Sequence, residues 1–123
     1  MLPSLTSFWI FLDQLVSSNQ LIIDRPKYSQ HPRYPEIIYP LDYGYMKETS
    51  SADGSGIDVW VGASGTHEPS AIIVTVDLQK RDAEIKILLG CTEEEMQIIL
   101  DFHNTKSMGA LLIRRIDIVG DES

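Results

Sequence analysis

Hydrophobic positions recur along this chain with a helical period at its start and near its end, and with a strand period between. Leu5, Phe8, Trp9, Leu12 and Val16 follow one another at spacings of three and four, which predicts an amphipathic helix over about residues 5–17. Ser4 or Thr6 can cap its start. Its wide aromatic face is suited to packing on the body of the domain or on a partner subunit. Gln20 to Asp24 reads as a strand that stops at Arg25-Pro26. From Lys27 to Tyr45, Pro32, Pro35 and Pro40 remove backbone donors and push their predecessors out of the helical region. Extended chain and turns are expected there, with Ile37-Ile38-Tyr39 as a short strand. Gly44, between Tyr43 and Tyr45, permits close backbone approach or a bulge.

Ile57, Val59 and Val61 then alternate with Asp58 and Trp60. This predicts a strand with one apolar face and an acid beside a Trp on the other. Asp58 either meets solvent or points into a site. Ala71 to Asp77 is nearly continuous and β-branched, as in a central strand. After the polar turn Lys80-Arg81-Asp82, the alternation from Glu84 to Leu89 predicts its antiparallel partner. Thr92 and Glu95 form a capping box ahead of Met96, Ile99 and Leu100, opening a helix that runs to about Asn104. A last strand is expected from Ala110 to Ile118. The order helix, strands, helix, strand gives a mainly β fold: a small antiparallel barrel or curled sheet flanked by two helices. One domain over residues 1–123 is expected.

Composition narrows the functional classes. Apolar residues make up 43% and charged residues 23%, enough for a core without disulfides. Ten Lys and Arg against 18 Asp and Glu give a formal charge of -8, which lacks the positive field that gathers a nucleic-acid backbone. A phosphate ligand must then be small, with a metal or a local basic cluster offsetting the acids. The single Cys91 excludes an intrachain disulfide and a cysteine zinc cluster, and it fits a reducing cytoplasm. The run Ser7 to Leu12 has no basic residue before it and meets Asp13 at once. It reads as neither a signal peptide nor a membrane anchor.

The acids carry the candidate chemistry. Asp53 and Asp58, and Asp77 and Asp82, lie near strand ends, each pair five residues apart. Converging from two hairpins they would hold Mg²⁺ or Mn²⁺; otherwise they are solvated loop acids. Arg33, in the stiff segment His31-Pro32-Arg33-Tyr34-Pro35, is pre-ordered to clamp a phosphate, or else pairs with Glu36 or Asp42. Tyr39, Tyr43 and Tyr45 line either a cleft or the core. His103 reads as a helix-end cap, a core residue or an anion contact. Cys91 precedes the capped helix, but no motif makes it a nucleophile, and it reads as a buried bystander.

Tyr39-Pro40-Leu41-Asp42-Tyr43-Gly44-Tyr45, followed by Asp53-Gly54-Ser55-Gly56-Ile57-Asp58-Val59, resembles the signature of the soluble inorganic pyrophosphatases of the family I type. Asp77-Leu78-Gln79-Lys80-Arg81-Asp82 is similar to their second acidic pair. The resemblance runs from about Leu21 to Lys106. It implies a small distorted OB-like barrel and Mg²⁺-dependent hydrolysis of pyrophosphate to two phosphates by a metal-activated water. It places Asp53, Asp58, Asp77 and Asp82 as metal ligands, with Asp53 and Asp58 at the catalytic centre. It places Arg33, Tyr43 and Tyr39 on the substrate, with His103 and Asn104 standing where a tyrosine–lysine pair is usual and Lys106 nearby, so that His103 and Lys106 are further substrate contacts. The middle acid of the signature is Ser55 here, a poor base near neutral pH. A lysine near the second acidic pair is Glu84 here, with Lys86 on the same strand face as its substitute. A homo-oligomer is a further expectation. The alternative is a catalytically impaired relative that binds metal and a phosphorylated small molecule.

Overall fold

The computed structural model describes residues 3–51 and 54–115. The elements are α1 (Pro3–Ser17), β1 (Leu21–Arg25), β2 (Asp42–Met46), β3 (Ile57–Val61), β4 (Pro69–Asp77), β5 (Asp82–Leu89), α2 (Glu93–His103) and β6 (Met108–Arg114). The architecture is mainly β with two helices, as the alternation of the sequence implies. The six strands form one sheet in the order β1-β2-β3-β5-β4-β6. It does not close into a barrel among the described residues, because β1 and β6 stand at its two edges.

Four of the pairings are antiparallel, and β3 with β5 is parallel. The parallel seam departs from the expected all-antiparallel arrangement and has a simple cause. β4 passes beyond the place that β5 will fill, and the hairpin after Asp77 returns β5 alongside β3. The chain between β1 and β2 holds no helix, as its prolines dictate. It contributes one bridge between Gln30 and Ile38 where a short strand was expected. Gly44 is where β1 crosses tightly over β2: a Cβ there would lie 1.8 Å from the Ile22 carbonyl oxygen.

The two faces of the sheet are covered separately. On one, Met46, Val59, Ile87 and Leu89 are buried against Leu12, Leu15 and Val16 of α1. On the other, Trp60, Ile73 and Leu88 pack with Met96 and Ile99 of α2, and with Tyr39 and Leu41 from the proline-rich segment. Arg115 fastens α1 by a two-pronged ion pair with Asp13, at 2.8 and 2.9 Å. Its guanidinium also lies over the Trp9 ring, 5.4 Å from the centroid. The capping box of α2 is present as expected: the Thr92 side chain accepts from the Glu95 amide, and Glu95 accepts from the Thr92 amide. At its other end, Asn104 Oδ1 accepts from the Ala110 amide at 3.0 Å and ties the helix exit to β6. The last strand begins two residues before Ala110; Ile116 to Ile118, expected to continue it, lie outside the described residues.

Candidate functional site

Strand periodicity sends Asp58 and Trp60 of β3 to the face opposite Val59, and Lys86 of β5 to the face opposite Ile87. Val59 and Ile87 are partners across the parallel seam, so Asp58 and Lys86, one residue before each, stand side by side. Tyr43 of β2, paired with Trp60, completes the group.

Lys86 is only 5% exposed, and a buried ammonium requires oxygen partners. Its Nζ donates to Asp58 Oδ2 at 2.9 Å and to the Tyr43 hydroxyl at 3.0 Å. Glu84 Oε2 stands 3.9 Å from the same nitrogen. Tyr43 donates in turn to Asp58 Oδ2 at 2.6 Å. Burial first, and the Asp58 charge second, push the Tyr43 hydroxyl far above the usual phenol range, so it remains a donor. Two members of one hydrogen-bonded group thus hold a single carboxylate oxygen.

Aromatic rings back this group. Tyr43 lies 4.6 Å from the Trp60 ring centroid and 5.3 Å from that of Tyr39. Trp60 Nε1 donates to His103 Nε2 at 3.0 Å. An indole can only donate, so Nε2 accepts and the neutral His103 ring carries its proton on Nδ1. Burial, with the Lys86 charge second, brings the His103 pKa down to about 3. His103 is therefore a neutral core residue, one of the three roles open from the sequence, and it also borders the cleft.

These side chains border a cleft of about 610 Å³, lined by Tyr39, Tyr43, Asp58, Lys86, Phe102 and His103 among others. Its further charged residues are Glu36, Glu84 and Lys80. Three acids against two lysines give no net positive field, so an anionic ligand needs an accompanying cation.

The second acidic pair lies at the tip of the β4–β5 hairpin. Asp77 and Asp82 face each other in register. Asp77 Oδ1 accepts from the backbone amides of Gln79 and Lys80, at 2.9 and 3.1 Å, and so closes the turn. Asp82 Oδ1 is buried and has no hydrogen-bond partner. An oxygen in that state is what a hard cation satisfies. Among the described residues no three of His, Cys, Asp and Glu gather on one point. Mg²⁺, however, is commonly held by one or two carboxylates, with water and substrate phosphate completing its shell, so this pair fits it in chemistry.

The remaining candidates fall elsewhere. Asp53 lies outside the described residues. Ser55 is exposed in the loop before β3. Arg33 is exposed, held by its own backbone amide to His31 Nδ1 at 3.0 Å, and does not line the cleft. Lys106 is exposed between α2 and β6; its neighbours Thr105 and Ser107 line the cleft, and it does not. Asp77 and Asp82 border a separate cavity beside Arg81. Cys91 is buried, with its thiol pushed up to about 12 by desolvation, and offers no thiolate. Trp60 and Phe102 were not singled out in the sequence as site residues. The available signal was Trp60 sharing a strand face with Asp58.

The chain is similar to the inorganic pyrophosphatase of the bacterium Helicobacter pylori, with a TM-score of 0.55 and 12% identity over 82% of this chain and 88% of that one. An inorganic phosphatase of Anaplasma phagocytophilum aligns with a TM-score of 0.49 and 14% identity, over 84% and 92% of the two chains. No protein-family model and no curated protein sequence matches the chain. The first likeness shows a pyrophosphatase-like fold. No helix among the described residues is long and apolar enough to cross a membrane.

Proposed function

We propose that this protein is a divergent pyrophosphatase that hydrolyses inorganic pyrophosphate to two phosphates with Mg²⁺, or with Mn²⁺ in its place. The observation that carries the reading is the Lys86–Tyr43–Asp58 group, held in a 610 Å³ cleft of a pyrophosphatase-like fold. Asp77 and Asp82 are the residues to hold the metal, with Asp53 a further ligand from the loop. Bound there, Mg²⁺ would supply charge neutralisation and a water of lowered pKa. The chain's own groups do the positioning. Lys86 meets phosphate charge as a fixed ammonium, Tyr39 offers a phenol hydroxyl, Tyr43 borders the ligand while its own hydroxyl holds Asp58, and His103 offers a neutral N–H. Burying these donors beforehand spares their reorganisation during reaction. The ligand is a small phosphorylated molecule rather than nucleic acid, the setting cytoplasmic, and the protein a homo-oligomer.

One observation favours a second reading, binding without turnover. Ser55 is exposed where the resemblance places a catalytic acid, and Asp58 Oδ2 is already engaged by Lys86 and Tyr43. Phosphate release from pyrophosphate by the purified protein, with Mg²⁺ and then Mn²⁺, separates the two. Metal-dependent release that Asp82→Asn abolishes supports the enzyme. Pyrophosphate binding with no release in either protein supports the second reading.

A further inference from the structure

A buried ammonium surrounded by oxygen atoms resembles the inner shell of a bound cation. Lys86 Nζ has Asp58 Oδ2 at 2.9 Å, the Tyr43 hydroxyl at 3.0 Å and Glu84 Oε2 at 3.9 Å. Its side chain is 6% exposed and that of Glu84 is 8% exposed, so solvent does little to screen the charges. A lysine that merely solubilised a strand would reach toward water along its stem. This one turns inward, from the polar face of a central strand.

We infer that Lys86 is a tethered cation: its ammonium occupies the position beside Asp58 that a free divalent ion would otherwise take, and so removes Asp58 from metal binding. The inference rests on the reading of the cleft as a phosphate site and refines it by leaving Asp58 out of the ligand set of the free metal, which falls to Asp77 and Asp82 with Asp53. The physical basis is competition for one oxygen set. A divalent ion entering beside Asp58 would stand within a few ångströms of a positive charge that cannot diffuse away. The repulsion from that fixed charge offsets the attraction of the Asp58 carboxylate, which the ammonium already neutralises. Removing the ammonium leaves Asp58 without its buried counter-charge, a state that a divalent ion relieves.

The test counts Mn²⁺ bound to the ligand-free protein from the electron paramagnetic resonance signal of free Mn²⁺, with no turnover measured. Wild type and Asp58→Asn are expected to bind Mn²⁺ alike. Lys86→Met is expected to gain an ion, or to bind roughly a hundredfold more tightly. Adding Asp58→Asn to Lys86→Met should erase the gain, and Lys86→Arg, which keeps the charge, should show none. Weaker Mn²⁺ binding in Asp58→Asn than in wild type would overturn the inference, as would a folded Lys86→Met with no gain. Should Lys86→Met fail to fold, the comparison of Asp58→Asn with wild type decides alone. A protein without pyrophosphatase activity that shows the expected pattern loses the functional reading and keeps this one. An active protein whose Asp58→Asn form loses Mn²⁺ does the reverse.

Discussion

Asp58 and Asp82 belong to the same sheet, yet their surroundings treat them in opposite ways. Asp58 Oδ2 receives a lysine and a phenol, within 2.9 Å and 2.6 Å. Asp82 Oδ1 is buried with no donor at all. An unmatched buried acceptor costs about 1–3 kcal/mol, a cost that an ordered water or a bound ion relieves. Asp58, in the cleft, is thus electrostatically satisfied before any ligand arrives, whereas Asp82, in the separate cavity at the hairpin tip, keeps an oxygen that a cation can complete. The difference comes from strand placement. Asp58 has a central strand on each side to supply partners, whereas Asp82 begins a strand at a hairpin tip.

The largest effect that sharpens the contrast is expected from Asp82→Asn. Phosphate release should fall by about a hundredfold or more, the scale of losing one preorganised charge in such a site. Stability to urea should hold, because Asp82 Oδ1 has no hydrogen bond to lose. A loss of stability would mean that Asp82 is structural after all. Next in size, Lys86→Met should lower stability by about 2 kcal/mol, measured by denaturant titration. That is less than a fully buried pair would lose, since the Asp58 side chain is 26% exposed. Asp77→Ala removes the acceptor for two turn amides and should cost about 1 kcal/mol.

The smallest effect is a pH slope. His103 is neutral in the fold, with a pKa near 3, and titrates near 6.5 when unfolded. The unfolded state therefore binds the extra proton as pH falls. The His103 contribution is fully present above 6.5 and is lost as pH falls from there toward 3. From pH 7 to pH 6 this loss is about 0.7 kcal/mol, and it steepens below. His103→Gln, whose carbonyl can still accept from Trp60, should flatten that slope. An unchanged slope would show that His103 titrates alike in the folded and unfolded states.

Local patterns carried most of the fold. The alternation from Ile57 to Val61 placed Asp58 and Trp60 on one face before any contact was known, and Thr92 with Glu95 fixed the start of α2. The pairing of Asp58 with Lys86 is a different matter. It depends on a parallel seam between strands that the chain visits with another strand between them, and no spacing along the sequence encodes that register. The Asp13–Arg115 clamp joins residues 102 apart and is equally silent. The stiff segment around Arg33 illustrates the opposite error. Rigidity was legible there, but its direction was not, and Arg33 stands exposed outside the cleft lining. Asp77 could have been read locally, since an Asp before a four-residue hairpin turn commonly accepts from the amides two and three residues on.

The division of labour between the two carboxylates is tested most directly by calorimetric titration of imidodiphosphate, a non-hydrolysable pyrophosphate analogue, with and without Mg²⁺. Binding is expected to depend on Mg²⁺, with that dependence lost in Asp82→Asn and kept in Asp58→Asn. Binding of equal strength without Mg²⁺, or a dependence that survives Asp82→Asn, would contradict the account.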